Sequence, residues 1–512
     1  MDLQEGAVVS GVRNRQRVVV MRIAMFSWES LHSIAVGGVA AHVTELAAAL
    51  ERRGHELHVF TRLAPGQRDD ERIDGVNYHR CPYQPHPEFV DDANNMCRAF
   101  VERFFALEDL IGHFDIVHAH DWLAANAMIW IKQGRGHWCV LTMHSTEYAR
   151  CGNSFPSGRS ARVRHQERAG CYWADRVIAV SHATKKELMW MYEVPEDKTA
   201  VVYNGVSAHR FDGPLGDVGR LREPLRIGPM DPTVLFCGRL EWQKGPDLLV
   251  EAVPLLLGYY PNAKFVFVGE GNMRGCLEQR GRQLGVAHAL RFLGYRHGNG
   301  LVDLYGLSDT VCVPSRNEPF GIVVLEAWAA RKPVVVSQVG GPNEYVCHEV
   351  NGLKIYPRTD SVAWGLGTLL ADFERARWMG ENGRRAVQDS FTWDAIAPQT
   401  VAVYDPAYAS RTSAAPAPMM PVPAVAAEIT PAQEAPPLEP TAAQLQPVGA
   451  CTDFAGVVSE PELAAQRLAL RRQIRRQNRL LMRPPQDEDR RGPDEVVSAY
   501  AHSTLGSAVA PT

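Results

Sequence analysis

The stretch RVVVMRIAMFS (17–27), the glycine turn VGGVAAH (36–42), VTELAAALERRG (43–54) and HELHVFTR (55–62) together decide the fold. The first piece is a continuous β-branched and apolar run, the pattern of a strand buried on both faces of a parallel sheet. In the third, Val43, Leu46, Ala47 and Leu50 recur at helical spacing until Gly54 stops the helix. The fourth is a second strand. The whole is therefore a β-loop-α-β unit, and FDIVHAH (114–120), CVLTMHS (139–145), DRVIAVS (175–181) and TAVVYNG (199–205) continue the strand series.

Residues 207–231 break the pattern with Gly, Pro and charge and read as a linker. The grammar then restarts. Strands are expected at PTVLFCGR (232–239), AKFVFVGEG (263–271), ALRFLGY (289–295), DTVCVPS (309–315) and PVVVSQ (333–338), with helices at PDLLVEAVPLLLGYY (246–260) and IVVLEAWAARK (322–332). The expected organisation is a flexible extension at 1–17, an α/β domain at 18–206, the linker, and a second α/β domain at 232–407. Each domain is read as a Rossmann-like doubly wound sheet facing a common cleft. An Ala/Pro-rich tail at 408–512 cannot build a core and is expected to be largely disordered. Within it, 461–483 holds Arg467, Arg471, Arg472, Arg475, Arg476, Arg479 and Arg483, with Leu463, Leu470, Ile474 and Leu481 near one helical face. A solvated, partly helical tail is the preferred reading, and a helix that docks on an unknown partner is the other.

A chain of 512 residues with 46% hydrophobic and 22% charged residues has material for two cores. The formal net charge of -4 gives no reason to expect nucleic acid as a partner. The 10 cysteines contain no C-x-x-C pair, which fits a reducing cytoplasm, and no apolar run is long enough to span a bilayer.

SRNEPFGIVVLEAW (315–328) places Glu318 and Glu326 either side of a Pro-Phe-Gly turn. The helix that begins there offers free backbone N–H groups to phosphate oxygens, and Gly321 removes a side chain where a ligand would approach. Two acids beside an anion site would repel phosphate, so hydroxyl groups are their better partners. Phosphates flanked by polyhydroxylated rings describe a nucleotide sugar. Arg239 and Lys244, in FCGRLEWQKGPD (236–247), follow the first strand of the second domain, where they can neutralise a diphosphate and the charge it gains on leaving. Gly37 and Gly38 occupy the equivalent turn of the first domain. VHAHDWLAA (117–125) puts His118, His120 and Asp121 at another strand end. No third ligand is spaced for zinc, so His120 is assigned to hydrogen bonding with a polar substrate.

These motifs in this order, over about 21–405, resemble glycosyltransferase family 4, the retaining enzymes of the glycosyltransferase-B fold, and HAHDW resembles the glycogen and starch synthase branch. The resemblance implies a hexosyltransferase, moving glucose from a nucleoside-diphosphate sugar to a glucan or other carbohydrate acceptor, with retained stereochemistry and no metal or other cofactor. It implies that Gly38 approaches the donor phosphates, His120 the transferred sugar, and Arg239 and Lys244 the diphosphate. Glu318 would hold sugar hydroxyls, Phe320, Gly321 and Ile322 would supply backbone contacts, and Glu326 would bind the ribose. Tyr295 and Arg296 would line the base pocket. The loop IAVGGVA (34–40) lacks the lysine of the familiar bacterial glycogen synthases, which leaves UDP-, ADP- and GDP-sugars open as donors. TMHSTEYARCGNSFPSG (142–158) offers His144, Glu147, Tyr148 and Arg150 as acceptor contacts. Alternatives are the same chemistry on a lipid-linked or small-sugar acceptor, a nucleotide-sugar epimerase on the same architecture, and a non-catalytic scaffold.

Overall fold

The computed structural model describes residues 20–213 and 216–404. The extension at 1–17 and the tail at 408–512, with its Arg-rich stretch, lie outside the described residues. The first lobe is an eight-stranded sheet built from β1 (Arg22–Phe26), β2 (Glu56–Arg62), β3 (Asp70–Ile73), β4 (Val76–Cys81), β5 (Ile116–His120), β6 (Cys139–Met143), β7 (Arg176–Ala179) and β8 (Thr199–Val201). Their order is β3-β4-β2-β1-β5-β6-β7-β8. All neighbours are parallel except β3 and β4, an antiparallel hairpin turned at Asp74 and Gly75, both at positive φ. The sequence reading overlooked this hairpin because DERI (70–73) is polar and exposed along one edge. The second lobe is a six-stranded parallel sheet of β9 (Thr233–Cys237), β10 (Lys264–Val268), β11 (Leu290–Phe292), β12 (Thr310–Val313), β13 (Val334–Ser337) and β14 (Leu353–Ile355), ordered β11-β10-β9-β12-β13-β14.

Alternation along β1 explains why both faces of the first sheet are covered. Ala24 and Phe26 point into a cluster with Phe60, Phe100, Phe104 and Phe114, beneath the helix Phe89–Ile111. Ile23 and Met25 point the other way, onto Val43, Leu46 and Leu50 of the helix Gly38–Arg52. A strand two-sided in this way has no polar face to show, which is why it reads as an unbroken apolar run. In the second lobe Leu235, Val266, Val311 and Val334 pack with Val324, Leu325 and the fully buried Trp328.

Two boundaries differ from expectation. The segment expected as a plain linker carries short helical turns at Ala208–Phe211 and Val218–Arg222. The buried Arg222 guanidinium donates to the carbonyls of Gly228, Pro229 and Leu307, which fastens this segment to the second lobe. The last described helix, Trp393–Tyr404, follows the second lobe in sequence but packs in the first. Trp393, Ile396, Val401 and Tyr404 join the Ile23 and Met25 cluster, and the Tyr404 hydroxyl lies 2.9 Å from His118 Nδ1. The chain thus crosses between lobes twice, since burying that helix's apolar stripe required a face only the first sheet left open. Among the described residues no helix is long and apolar enough to cross a membrane.

Candidate functional site

The C-terminal ends of β9 and β12 carry the charged groups, as expected for a parallel sheet. After β9, Gly238 and Gly245 both take positive φ, and a Cβ on Gly245 would stand 2.3 Å from the Pro314 carbonyl oxygen. Only glycine lets this loop press against the end of β12. The loop delivers Lys244, whose Nζ lies 2.7 Å and 2.8 Å from the two carboxylate oxygens of Glu318, and Arg239, whose Nη2 donates to Gln243 Oε1 at 3.0 Å. Ser315 Oγ also donates to Glu318, at 2.8 Å.

Gly321, at φ +87°, turns the chain into the helix Ile322–Ala329, which has no side-chain cap. Its first amides are unclaimed by side chains, and such groups form an anion site. The Tyr345 hydroxyl donates to the carbonyls of Phe320 (2.6 Å) and Gly321 (3.2 Å) and so fixes the turn. Phe320 is buried against Tyr203 and Tyr345. The first lobe meets the turn directly, because a Cβ on Gly38 would be 3.1 Å from Ile322 Cδ1. Three segments far apart in sequence, Gly37-Gly38, Arg239–Lys244 and Glu318–Glu326, therefore stand at one end of the two sheets.

One turn into the helix, Glu326 accepts a hydrogen bond from the Tyr305 hydroxyl at 2.7 Å. Burial raises its pKa, and the Tyr305 bond and Arg210 offset only part of that. Tyr295 is 44% exposed, and its ionisation is disfavoured by burial and then by the charges of Glu29 and Glu326. Arg296 is exposed and donates to the Tyr295 carbonyl at 3.2 Å.

On the first lobe, His120 ends β5, and Asp121 follows at φ +58°, a left-handed conformation unusual for a residue with a side chain. Asp121 Oδ1 accepts the His144 N–H at 2.8 Å, which ties the end of β5 to the end of β6. His120 Nδ1 and His144 Nε2 are 3.2 Å apart, and His42 stands beside both, with ring centroids at 5.3 Å and 4.5 Å. Burial pushes the proton affinity of all three imidazoles down, and that of His144 to about 3. His118 is committed elsewhere, to Tyr404 and to Thr142 Oγ1 at 2.7 Å. The spacing argument against a third metal ligand fails in three dimensions, because His42 and His144 come from a helix and a strand end that sequence distance hides.

The acceptor set divides. Glu147 accepts from Arg150 Nε (2.9 Å) and Ser160 Oγ (2.6 Å), and Arg150 Nη2 also pairs with the buried Glu167 at 2.5 Å. The Tyr192 hydroxyl donates to Glu167 as well. These charges pair with one another inside the lobe. Tyr148 instead joins an aromatic group with Phe155 (4.9 Å) and Trp190 (5.3 Å), of which Phe155 and Trp190 are 56% and 61% exposed.

Two residues escaped the sequence reading. Glu29 is buried, and one of its oxygens accepts the N–H groups of Val36 (2.7 Å) and Gly37 (2.6 Å), shaping the glycine turn. Its position just after β1 was the available signal. Glu344, from the second lobe, accepts the His182 and Ala183 amides at 2.9 Å and 2.7 Å, at the start of the first-lobe helix His182–Tyr192. The Tyr203 hydroxyl adds a third bond at 3.0 Å. Nothing local marks Glu344, since its partners lie some 160 residues away.

Comparison with known proteins agrees with this layout. Residues 36–210 match the model of the Glycosyltransferase Family 4 domain, and residues 217–386 that of Glycosyl transferases group 1. An uncharacterized glycosyltransferase of Methanocaldococcus jannaschii is 39% identical over 391 residues, covering 75% of this chain and 98% of its own. A glycogen synthase of Mycobacterium tuberculosis is 31% identical, covering 78% and 98%. The solved sucrose-phosphate synthase of Thermosynechococcus elongatus superposes with a TM-score of 0.65 at 26% identity, covering 76% of this chain and 100% of that one. With two parallel-sheet lobes, both family domains in order and relatives of full length, the chain belongs to the group 1, family 4 glycosyltransferases of the glycosyltransferase-B fold and is a hexosyltransferase.

Proposed function

We propose that this enzyme transfers glucose from a nucleoside-diphosphate sugar to an α-glucan or related carbohydrate, with retention and without a divalent metal. The observation that carries the reading is the convergence of Lys244, Arg239 and the uncapped start of the helix Ile322–Ala329 opposite Gly38. A diphosphate seated there would be neutralised by an ammonium, a guanidinium and backbone dipoles, the work a divalent cation does elsewhere. In the structure Lys244 is held by Glu318. A donor phosphate would draw the ammonium away and free the carboxylate to accept sugar hydroxyls, coupling phosphate binding to sugar binding. As the glycosidic bond breaks through an oxocarbenium-like state, Lys244 and Arg239 stabilise the leaving diphosphate, which takes the proton of the attacking acceptor hydroxyl on the same face. The neutral His120 hydrogen-bonds the sugar, and Glu326 with Tyr305 holds the ribose.

A glucan acceptor is supported by the exposed Phe155 and Trp190 beside Tyr148, because aromatic faces stack on sugar rings, and by the likeness to a glycogen synthase. The Arg164 guanidinium, 5.4 Å over Phe155, gives the same patch the basic-apolar character that a lipid-linked acceptor would use, and this is the second reading. Incubation with UDP-, ADP- and GDP-sugars plus EDTA, with glycogen primer or with vesicles of acidic lipid, tests both. The expected result is an α-linked product from glycogen with one donor. No turnover of any donor, or an inverted anomeric centre, overturns the proposal, and product only on vesicles selects the second reading.

A further inference from the structure

We propose that His42, His120 and His144 form a binding site for a borderline transition-metal ion of the Zn2+, Cu2+ or Ni2+ class, and that an ion bound there shuts the sugar pocket. One ring nitrogen of each imidazole lies within 4.8 Å of the other two. In a tetrahedral site with metal–nitrogen bonds near 2.0–2.1 Å, ligand nitrogens stand about 3.3 Å apart, and the His120 Nδ1 to His144 Nε2 separation of 3.2 Å is already there. Closing the remaining separations by up to about 1.5 Å would bring in the third.

A further observation points to a ligand. His42 Nε2 is buried and has no hydrogen-bond partner, although its ring makes a bond at Nδ1. Leaving a buried polar atom unmatched costs about 1–3 kcal/mol, so such an atom on a ring beside two other imidazoles favours whatever satisfies it. His42 Nδ1, 2.7 Å from Asn204 Oδ1, must be the protonated nitrogen, because an amide oxygen only accepts. The Nε2 lone pair is therefore free, in the oriented state that outer hydrogen bonds confer on metal-binding histidines. Asp121, whose carboxylate accepts the His144 amide at 2.8 Å, holds that residue's backbone beside the other two rings. An all-nitrogen set discriminates against Mg2+ and Ca2+, which take oxygen ligands. The other candidate trio, Glu108, His113 and His137, is less free, since Glu108 is paired with Arg135 at 2.7 Å and with His137 at 3.0 Å.

The pocket-closing half rests on the proposed function, in which His120 meets the transferred sugar; the ion site does not. The test is titration of the full chain, metal-free, with Zn2+ by calorimetry and with Co2+ by visible absorption, in the wild type and in His42→Gln, His144→Gln and His137→Gln. One ion per chain is expected at the triad, with the d–d bands of a nitrogen-ligated Co2+. His42→Gln and His144→Gln should each weaken it at least about tenfold, and His137→Gln should leave it unchanged. No saturable binding, or loss of binding only in His137→Gln, overturns the site. Circular dichroism checks each variant, and His144→Gln, at the half-buried ring, decides should His42→Gln not fold. Donor affinity measured with and without Zn2+ should fall in the wild type, and an unchanged affinity overturns the blocking role. Failure of every nucleotide sugar to bind metal-free protein would instead remove the donor reading while the Zn2+ isotherm still reports on the site.

Discussion

The two lobes use the same sheet architecture and load its strand ends with opposite chemistry. The first lobe gathers neutral imidazoles and a buried acid, His42, His120, His144 and Asp121, held by burial and by one another. The second gathers Arg239, Lys244 and an uncapped helix start, with Glu318 as their counter-charge. The lesson is a division of labour: a lobe rich in cations and free amides suits an anion, whereas a dry lobe of neutral donors and acceptors suits hydroxyl groups and a developing sugar cation.

The sharpest way to break this comparison is Lys244→Ala. Removing a preorganised charge from a leaving group lowers kcat by about 10²–10³, measured by steady-state kinetics on the preferred donor. A loss confined to acceptor KM would mean the division is misdrawn. Next comes acid stability, which should fail first in the histidine-rich lobe. His79 is held at about 4 and His144 at about 3, both by burial, against 6.5 when unfolded. Between those values the unfolded chain binds more protons, so stability is full above about pH 6.5, falls as pH drops from there toward the folded values, and falls no further below them. Each unit of difference corresponds to about 1.4 kcal/mol per group. Chemical denaturation from pH 7.5 to 4.5 should show a loss of several kcal/mol, and a flat profile contradicts buried neutral histidines.

Smaller effects sharpen the picture. Glu326→Ala should raise donor Kd about tenfold with little change for the free sugar, as loss of a hydrogen bond to a charged group implies. Trp190→Ala should raise KM for a glucan acceptor by roughly fivefold, within the range of a lost stacking contact, while leaving kcat nearly constant. Glu344→Gln keeps the shape but weakens charge-assisted bonds to the His182 and Ala183 amides. A Tm decrease of a few degrees is expected, corresponding to about 1 kcal/mol, with scattering showing a less closed pair of lobes.

Much of this was legible beforehand because parallel sheets announce themselves. Strands such as β1 and β13 are buried on both sides, so they appear as unbroken apolar runs, and the turns after them are where ligands bind. Arg239, Lys244, Glu318 and Gly321 all sit in such turns. The edge hairpin β3–β4 was missed because an exposed edge has no apolar signature. The partners that Glu147 and Arg150 take were not legible, because a polar string looks alike whether its charges face a ligand or each other, and the buried Glu167 that pairs with Arg150 lies 17 residues on.

The sequence by itself determined the two-lobe α/β architecture and the loops that carry charge, since hydrophobic period and glycine position are local properties. The tertiary structure alone decided that His42 joins His120 and His144, that Glu344 bridges the lobes, and that Trp393–Tyr404 returns to the first sheet. Each of these pairs residues across long stretches of chain. Such contacts form because packing leaves one vacant apolar face or one unmatched polar atom, and neither can be counted until the rest of the chain is in place.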